Sequence, residues 1–143
     1  CGDATVDYGF IEDMFLGIEE KYGVIVMGVG YDRYNCLSTA MRLERDAGLK
    51  TVEVKQHSSV LHPATKLLRE KVLNKEFFYV PNDLLEINFQ NAKVVEDNNK
   101  NIYVNKKKST GKVDMLISLI NAVYLLQVDV IFNPDSDWSI QVI

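Results

Sequence analysis

Residues 24–54, VIVMGVGYDRYNCLSTAMRLERDAGLKTVEV, contain the pattern that decides the fold. The segment opens with an apolar run over residues 24–32, which is typical of a central strand that is covered on both faces. Apolar spacing in its middle predicts a helix that ends at Gly48, and residues 51–54 predict a second strand. Strand, helix and strand in this order predict a parallel pair with a right-handed crossover, so the fold class is α/β.

Helices are predicted on both sides of this unit. Ahead of it, apolar residues at helical spacing predict an amphipathic helix that is capped by Asp7 and stopped by Gly23. Behind it, a further helix is expected to carry Pro63 in its first turn and to end at Asn74. These helices would supply the layers that cover the sheet.

The second half of the chain predicts a hairpin and one strongly apolar helix. Residues 77–104 have an extended pattern, and the polar run EDNNK (96–100) predicts the turn between two strands. A last helix is expected over about 113–127, and its apolar stripe should make it the most buried helix. No structure is assigned to the tail NPDSDWSIQVI (133–143).

Composition and length fit one globular domain over residues 1–143, with 47% hydrophobic and 25% charged residues. Cys1 and Cys36 are the only cysteines, and their spacing favours neither a disulfide framework nor a zinc site. The apolar run at 115–126 is too short to cross a bilayer, so we expect a cytoplasmic protein without membrane contact.

Charge is unevenly distributed along the chain. The net charge of −4 argues against indiscriminate nucleic-acid binding, and residues 1–20 carry six acids and no base. Residues 100–112, in contrast, carry five lysines and no acid. Such a run is either a solvated loop or a set of phosphate contacts.

Asp32 is the first candidate functional residue, because it stands at the carboxyl end of the first strand of the βαβ unit. In open α/β sheets the working groups gather at that end of the strands. The alternative is that Asp32, or Asn35 just beyond it, only caps the following helix. The sequence leaves both interpretations open.

Asp114 is the second candidate. It lies in the first turn of the last helix, where the helix dipole alone would stabilise a carboxylate. Asp114, Ser118 and Asn121 also form a narrow polar stripe along an otherwise apolar helix, which suggests the wall of a site. Together, Asp32 and Asp114 could coordinate Mg²⁺ or Mn²⁺, since these hard cations favour carboxylate oxygens.

Other motifs do not support a chemical role. STGKVD (109–114) lacks the first glycine of a phosphate-binding loop and has Val113 where that loop needs Ser or Thr. His57 and His62 are interpreted as bystanders, because a lone histidine is seldom a catalytic base. No Ser/His/Asp arrangement is predicted.

The order of three segments resembles the carboxyl-terminal nuclease domain of tailed-phage terminase large subunits. The most specific stretches are YDRYN, VKQ followed by HPATKLL, and NKKKSTGKVDMLISLINA, and the likeness extends from about Tyr22 to Tyr124. It implies a ribonuclease H-like mixed sheet flanked by helices, and metal-dependent cutting of concatemeric viral DNA during packaging. Asp32 and Asp114 fall on two of the family's acidic metal-ligand positions, at a site that takes two ions when complete.

The same resemblance gives roles to other parts of the chain. The lysines of the basic run become phosphate contacts beside the cut: Lys106, Lys107, Lys108 and Lys112. The partners implied are double-stranded viral DNA, the portal and the small terminase subunit, in the cytoplasm of the host cell. Family members carry a further acidic ligand on an upstream strand, so this chain is expected to be a carboxyl-terminal fragment, incomplete on its N-terminal side and without the ATPase.

Two other classes of function compete with the nuclease. In a non-catalytic docking or DNA-binding module of the packaging motor, Asp32 and Asp114 would only cap helices. A nucleotide-binding βαβ domain ranks last, because no glycine-rich fingerprint follows the first strand. The nuclease hypothesis requires both carboxylates to reach a common metal site.

Overall fold

A computed structural model describes the chain from residue 7 to residue 132. The contacts divide the chain into two compact units, with the boundary between Val54 and Lys55. None of the helices in the described range combines the length and apolar character that crossing a bilayer requires. Cys1 and the tail 133–143 lie outside the described residues.

The first unit begins with helix α1 (Tyr8–Tyr22), which has both predicted ends. The carboxylate of Asp7 accepts a hydrogen bond from the backbone N–H of Phe10, over 3.2 Å. Gly23 closes the helix in the left-handed conformation, with φ of 65°, and glycine adopts this conformation without steric cost.

The predicted βαβ unit follows and is confirmed. Strand β1 (Val29–Tyr31) leads directly into helix α2 (Arg33–Ala47), and strand β2 (Thr51–Glu53) lies parallel to β1. Gly48 ends α2 with φ of 63°. Helix α2 packs on both strands and on α1.

The first strand is shorter than predicted. Residues 24–28 were expected to belong to a strand that is buried on both faces, but strand pairing begins only at Val29. Val24 and Ile25 are 51% and 69% exposed. The reason is that β2, the partner of β1 among residues 7–132, has only three residues, so upstream residues have no strand to pair with.

The second unit packs three helices and a hairpin. Helix α3 (Ser58–Leu73) contacts both helix α5 (Asp114–Phe132) and strand β4 (Ile102–Val104), and helix α4 (Asp83–Asn91) also packs on α5. Apolar side chains from these elements are at most 8% exposed: Leu61, Ala64, Leu68, Val104, Val113, Leu116, Ile117 and Ile120. Over the described side chains, helices α3 and α5 each contribute three of them, so the prediction that α5 is the most buried helix is not confirmed.

Helix α3 starts one turn earlier than predicted, so Pro63 lies in its second turn and not in its first. The cap is His57, whose Nδ1 accepts a hydrogen bond from the N–H of Ser59, over 3.3 Å. The prediction used Pro63 as the start signal and gave His57 no role. Asn74 ends the helix as expected.

Helix α4 is the largest departure from the sequence prediction, because residues 83–91 were expected to be extended. Its cap is Asn82, whose Oδ1 accepts from the N–H of Leu85 over 3.0 Å. Asp83 and Glu86 follow in the first turn, where the helix dipole favours acids. Apolar residues in this stretch suggested strands, but the cap and the two acids are a helix start signal.

The hairpin itself is confirmed, with three residues in each strand. Strand β3 (Val94–Glu96) pairs antiparallel with β4, and Val95 lies opposite Tyr103. His62 joins β4 to helix α3, since its Nδ1 accepts a hydrogen bond from the N–H of Ile102 over 2.8 Å. His62 is therefore a structural acceptor, which the bystander interpretation did not foresee.

Asp97 organises the hairpin turn. Its Oδ1 accepts from the N–H groups of Asn99 and Asn101, over 2.8 and 2.9 Å. Its Oδ2 accepts from the hydroxyl of Ser58, at the start of α3, over 2.6 Å. Hydrogen bonds from Ser58 and Asn101 hold the pKa of Asp97 far below its ordinary value.

This lowered pKa predicts an acid-dependent loss of stability. The carboxylate of Asp97 contributes to stability fully above the unfolded-state pKa, which is about 3.9, and the contribution is lost as the pH falls below that value. Urea unfolding between pH 2 and pH 7 should show Asp97→Asn less stable than wild type above about pH 5, with the difference shrinking below about pH 4. A difference that stays constant over this range would contradict the prediction.

Candidate functional site

Helix α5 begins with a cap that comes from another helix. The carbonyl of Val113 accepts the first helical hydrogen bond, from the N–H of Ile117 over 2.9 Å, so Val113 occupies the N-cap position. An apolar side chain cannot accept a hydrogen bond from the exposed N–H groups of the first turn. Asn88 of helix α4 takes that role, because its Oδ1 accepts from the N–H of Met115 over 3.1 Å.

Asn88 is itself firmly held. Its side chain is buried, with the residue 6% exposed, and its Nδ2 donates to the carbonyl of Leu84 over 2.7 Å. Both ends of the amide therefore have partners within the second unit. The start of α5, and with it the backbone of Asp114, is fixed by a buried side chain of α4.

Asp114 presents an ionised carboxylate at this helix start. Its side chain is 65% exposed, and its Oδ1 lies 2.9 Å from Nζ of Lys106. The hydrogen bond from Lys106 lowers the pKa of Asp114, and the charges of Lys106 and Lys112 act in the same direction. The carboxylate is accessible to a cation or to a phosphate-bound ion from solvent.

Residues 105–112, here called the lysine loop, have an ordered internal structure. Asn105 starts the loop, and its Oδ1 accepts from the N–H of Lys108 over 3.0 Å. The hydroxyl of Ser109 donates to the carbonyl of Asn105 over 2.8 Å and accepts from the N–H of Lys93 over 3.1 Å. These bonds fix the backbone that carries the lysines.

The last residue of helix α4, Asn91, binds the second half of the lysine loop. The carbonyl of Asn91 accepts from the N–H of Thr110 over 3.0 Å, and its Nδ2 donates to the carbonyl of Lys112 over 3.1 Å. A Cβ atom at Gly111 would lie 2.6 Å from that Nδ2. The Asn91 amide therefore occupies the space that a side chain at residue 111 would need.

The four candidate DNA-contacting lysines are all exposed: Lys106, Lys107, Lys108 and Lys112. Lys106 is paired with Asp114. Among the side chains of residues 7–34 and 36–128, the other three have no carboxylate within 4.0 Å of the ammonium nitrogen. The loop thus presents unpaired positive charge next to the carboxylate of Asp114.

The predicted polar stripe on α5 divides into an exposed and a buried part. Ser118 is exposed, and its hydroxyl donates to the carbonyl of Asp114 over 3.0 Å. Asn121 is buried, at 8% exposure, and its Oδ1 accepts from Nε2 of Gln56 over 3.2 Å. Only Asp114 and Ser118 of the three are accessible to solvent.

Asp32 lies in the first unit, whereas Asp114 lies in the second. Asp32 is exposed and caps helix α2, because its Oδ1 accepts from the N–H of Tyr34 over 3.3 Å. This is the capping role that the sequence left open as an alternative. A cap bond uses one carboxylate oxygen, so it does not decide whether Asp32 also binds metal.

Among the side chains that the structure describes, those of residues 7–34 and 36–128, no three from Asp, Glu, His or Cys form a group suited to a metal ion. Sequence reasoning found Asp114 and the lysines but missed Asn88 and Asn91, which hold them. The two asparagines lie in the stretch that was predicted to be extended. Recognition of the Asn82 cap would have put Asn88 and Asn91 on one helix face.

Comparisons with known proteins agree on one family. The sequence profile for "Terminase large subunit, endonuclease domain" matches residues 3–129. The solved structure of the bacteriophage HK97 large terminase superposes with a TM-score of 0.74 at 25% sequence identity, over 86% of this chain. The matched region is 26% of the HK97 protein, so this chain spans about a quarter of that length. No curated protein matches the sequence.

Proposed function

Because this chain belongs to the terminase large subunit endonuclease domain family, with its ribonuclease H-like fold, we propose that it cuts double-stranded viral DNA with divalent metal during genome packaging. The observation that carries the proposal is the pairing of an exposed, ionised Asp114 with the lysine loop. A carboxylate beside several cations suits a phosphodiester substrate. The portal and the small terminase subunit are proposed as partners, in the cytoplasm of the host cell.

The residues present fit a hard divalent cation. Mg²⁺ is commonly held by one or two carboxylates together with waters and substrate phosphates, and a complete cage of side chains is not needed. The exposed carboxylate of Asp114 is of this kind, and we propose Asp32 as a second ligand. Bound Mg²⁺ or Mn²⁺ supplies activation of water and stabilisation of the leaving oxygen, with two ions at a complete site.

The residues of this chain have separate roles in the proposed reaction. Asp114 offers oxygen ligands from a rigid helix start, and Ser118 lies one turn further along α5 as part of the proposed site wall, with Asn121 buried behind it. Lys106 pairs with Asp114 and would also be within reach of a DNA phosphate beside that carboxylate. Lys107, Lys108 and Lys112 orient the DNA backbone without reading its sequence.

Plasmid nicking tests the proposal directly. The large subunit that carries this domain is expected to relax supercoiled plasmid in the presence of Mn²⁺ and to lose this activity when the metal is chelated. The conversion is measured on agarose gels over time. Equal nicking with and without chelator would exclude metal-dependent cleavage.

The lysine loop gives a prediction for DNA binding. Replacing Lys106, Lys107, Lys108 and Lys112 by alanine should weaken binding of any DNA sequence. A plot of the logarithm of the association constant against the logarithm of the salt concentration has a negative slope. Its magnitude should decrease by about 0.9 for each phosphate contact that is lost. Fluorescence anisotropy with a duplex between 50 and 300 mM salt would measure it.

A matched control removes four other positive charges of the same unit, those of Lys66, Arg69, Lys71 and Lys75 on α3 and the following turn. This control should keep most of the wild-type salt slope, because only the net charge has changed. Unchanged, salt-sensitive binding in the lysine-loop variant would remove the proposed phosphate contacts.

A further inference from the structure

We infer that Asn88 is a positioning residue for the metal site: by capping helix α5 from helix α4, it sets where the carboxylate of Asp114 stands. This inference rests on the proposed function. Asn88 is too buried to contact DNA or solvent ions, so its effect must pass through Asp114.

Helix α5 has no capping side chain at its own N-cap position. Val113 at the N-cap position is 2% exposed and has an apolar side chain, so this side chain neither accepts a hydrogen bond nor admits water in place of one. The bond from Met115 N–H to Oδ1 of Asn88 fills this gap. Loss of Oδ1 would leave a backbone donor without a partner, which favours fraying of the first turn.

Fraying of the first turn of α5 would move Asp114 directly. Asp114 is the first residue of α5 and immediately precedes Met115. From its third residue onward, apolar side chains such as Leu116 and Ile117 pack α5 into the core, but the side chain of Asp114, the first residue, is mostly exposed. Its position therefore depends on the cap more than on packing.

Asn91 lies one turn after Asn88 on the same helix and also binds residues of the candidate site. Asn91 holds the lysine loop through the carbonyl of Lys112 and the N–H of Thr110. One helix face thus supports the metal-binding carboxylate through Asn88 and the DNA-contacting loop through Asn91. Loss of either side chain removes hydrogen bonds, but the two losses should affect different kinetic constants.

The test compares Asn88→Ala and Asn91→Ala in the large subunit. Asn88→Ala is expected to raise the Mn²⁺ concentration for half-maximal nicking by roughly 10- to 100-fold, the usual cost of losing a group that orients a ligand. Titration calorimetry without DNA should give a similar loss of Mn²⁺ affinity. Asn91→Ala should instead raise KM for DNA and leave the Mn²⁺ requirement unchanged.

A rescue variant separates positioning from general stability. In Asn88→Ala/Val113→Thr, a threonine at the N-cap position can accept a hydrogen bond from the first turn of α5. The Mn²⁺ requirement should return to within about threefold of wild type, since second-site capping restores the helix start. Hydrogen exchange at the Met115 amide, fast in Asn88→Ala, should slow again.

Several outcomes would overturn the inference. They are an unchanged Mn²⁺ requirement in folded Asn88→Ala, an equal shift in Asn91→Ala, or no rescue despite restored protection of Met115. Failure of both Asn88 variants to fold would make Asn88 a folding residue and also overturn it. Wild-type protein that neither binds nor uses Mn²⁺ would instead defeat the proposed function itself.

Discussion

Replacing Asp114 with asparagine is expected to lower Mn²⁺-dependent nicking of plasmid by on the order of 100-fold or more, because a neutral amide is a poor ligand for a hard cation. The fold should be retained. Asparagine has nearly the same shape, and the exposed pair with Lys106 contributes at most about 1 kcal/mol to stability. Initial nicking rates over a range of Mn²⁺ concentrations, with thermal melting in parallel, would measure both effects.

Asp83→Asn is the matched control for this variant. Asp83 is also an exposed aspartate in the first turn of a helix of the second unit, but it lies on α4. Its replacement removes the same charge from an equivalent helix position and should leave nicking close to wild type. Full activity of Asp114→Asn would refute the assignment of Asp114 as a ligand.

Asp32→Asn is the second variant for which we expect a large loss of nicking activity. Asparagine caps helices as well as aspartate does, so Asp32→Asn keeps the bond to the N–H of Tyr34 and removes only the charge. If Asp32 is a metal ligand, nicking falls by on the order of 100-fold while the melting temperature stays the same. If Asp32 is only a cap, neither quantity changes.

Asp7→Asn provides the control, since Asp7 caps helix α1 through the N–H of Phe10 in the same way. It should change neither nicking nor melting. A fully active Asp32→Asn variant would leave Asp32 as a capping residue. Full nicking activity of both Asp32→Asn and Asp114→Asn would show that neither aspartate is a metal ligand, whereas a wild-type large subunit that does not nick would favour the docking or DNA-binding module.

Local signals in the sequence predicted several of the helix ends. Asp7, Gly23 and Gly48 mark helix ends through short-range hydrogen bonds and backbone conformation, and the structure has the ends where these residues stand. The apolar stripe of α5 likewise predicted its burial, because helical spacing alone determines which side chains share a face. The parallel pairing of β1 and β2 followed from the order of the elements.

Features that depend on distant residues were not predictable in this way. The strand predicted from residue 24 is limited by the length of its partner β2, which the apolar run itself cannot reveal. The capping of α5 by Asn88 joins residues 27 positions apart. At the candidate site, the sequence therefore indicated Asp114 and the lysines but not the side chains that hold them.

The contact between Gly111 and Asn91 limits how this protein could be redesigned. Since a Cβ atom at residue 111 would lie 2.6 Å from the Asn91 amide, a substitution there requires that side chain to move and to give up its hydrogen bond to the carbonyl of Lys112. Positions 106–108 project into solvent and remain open to variation. Engineers who wish to alter DNA affinity should diversify those three codons, and should change residue 111 only together with a smaller residue at 91.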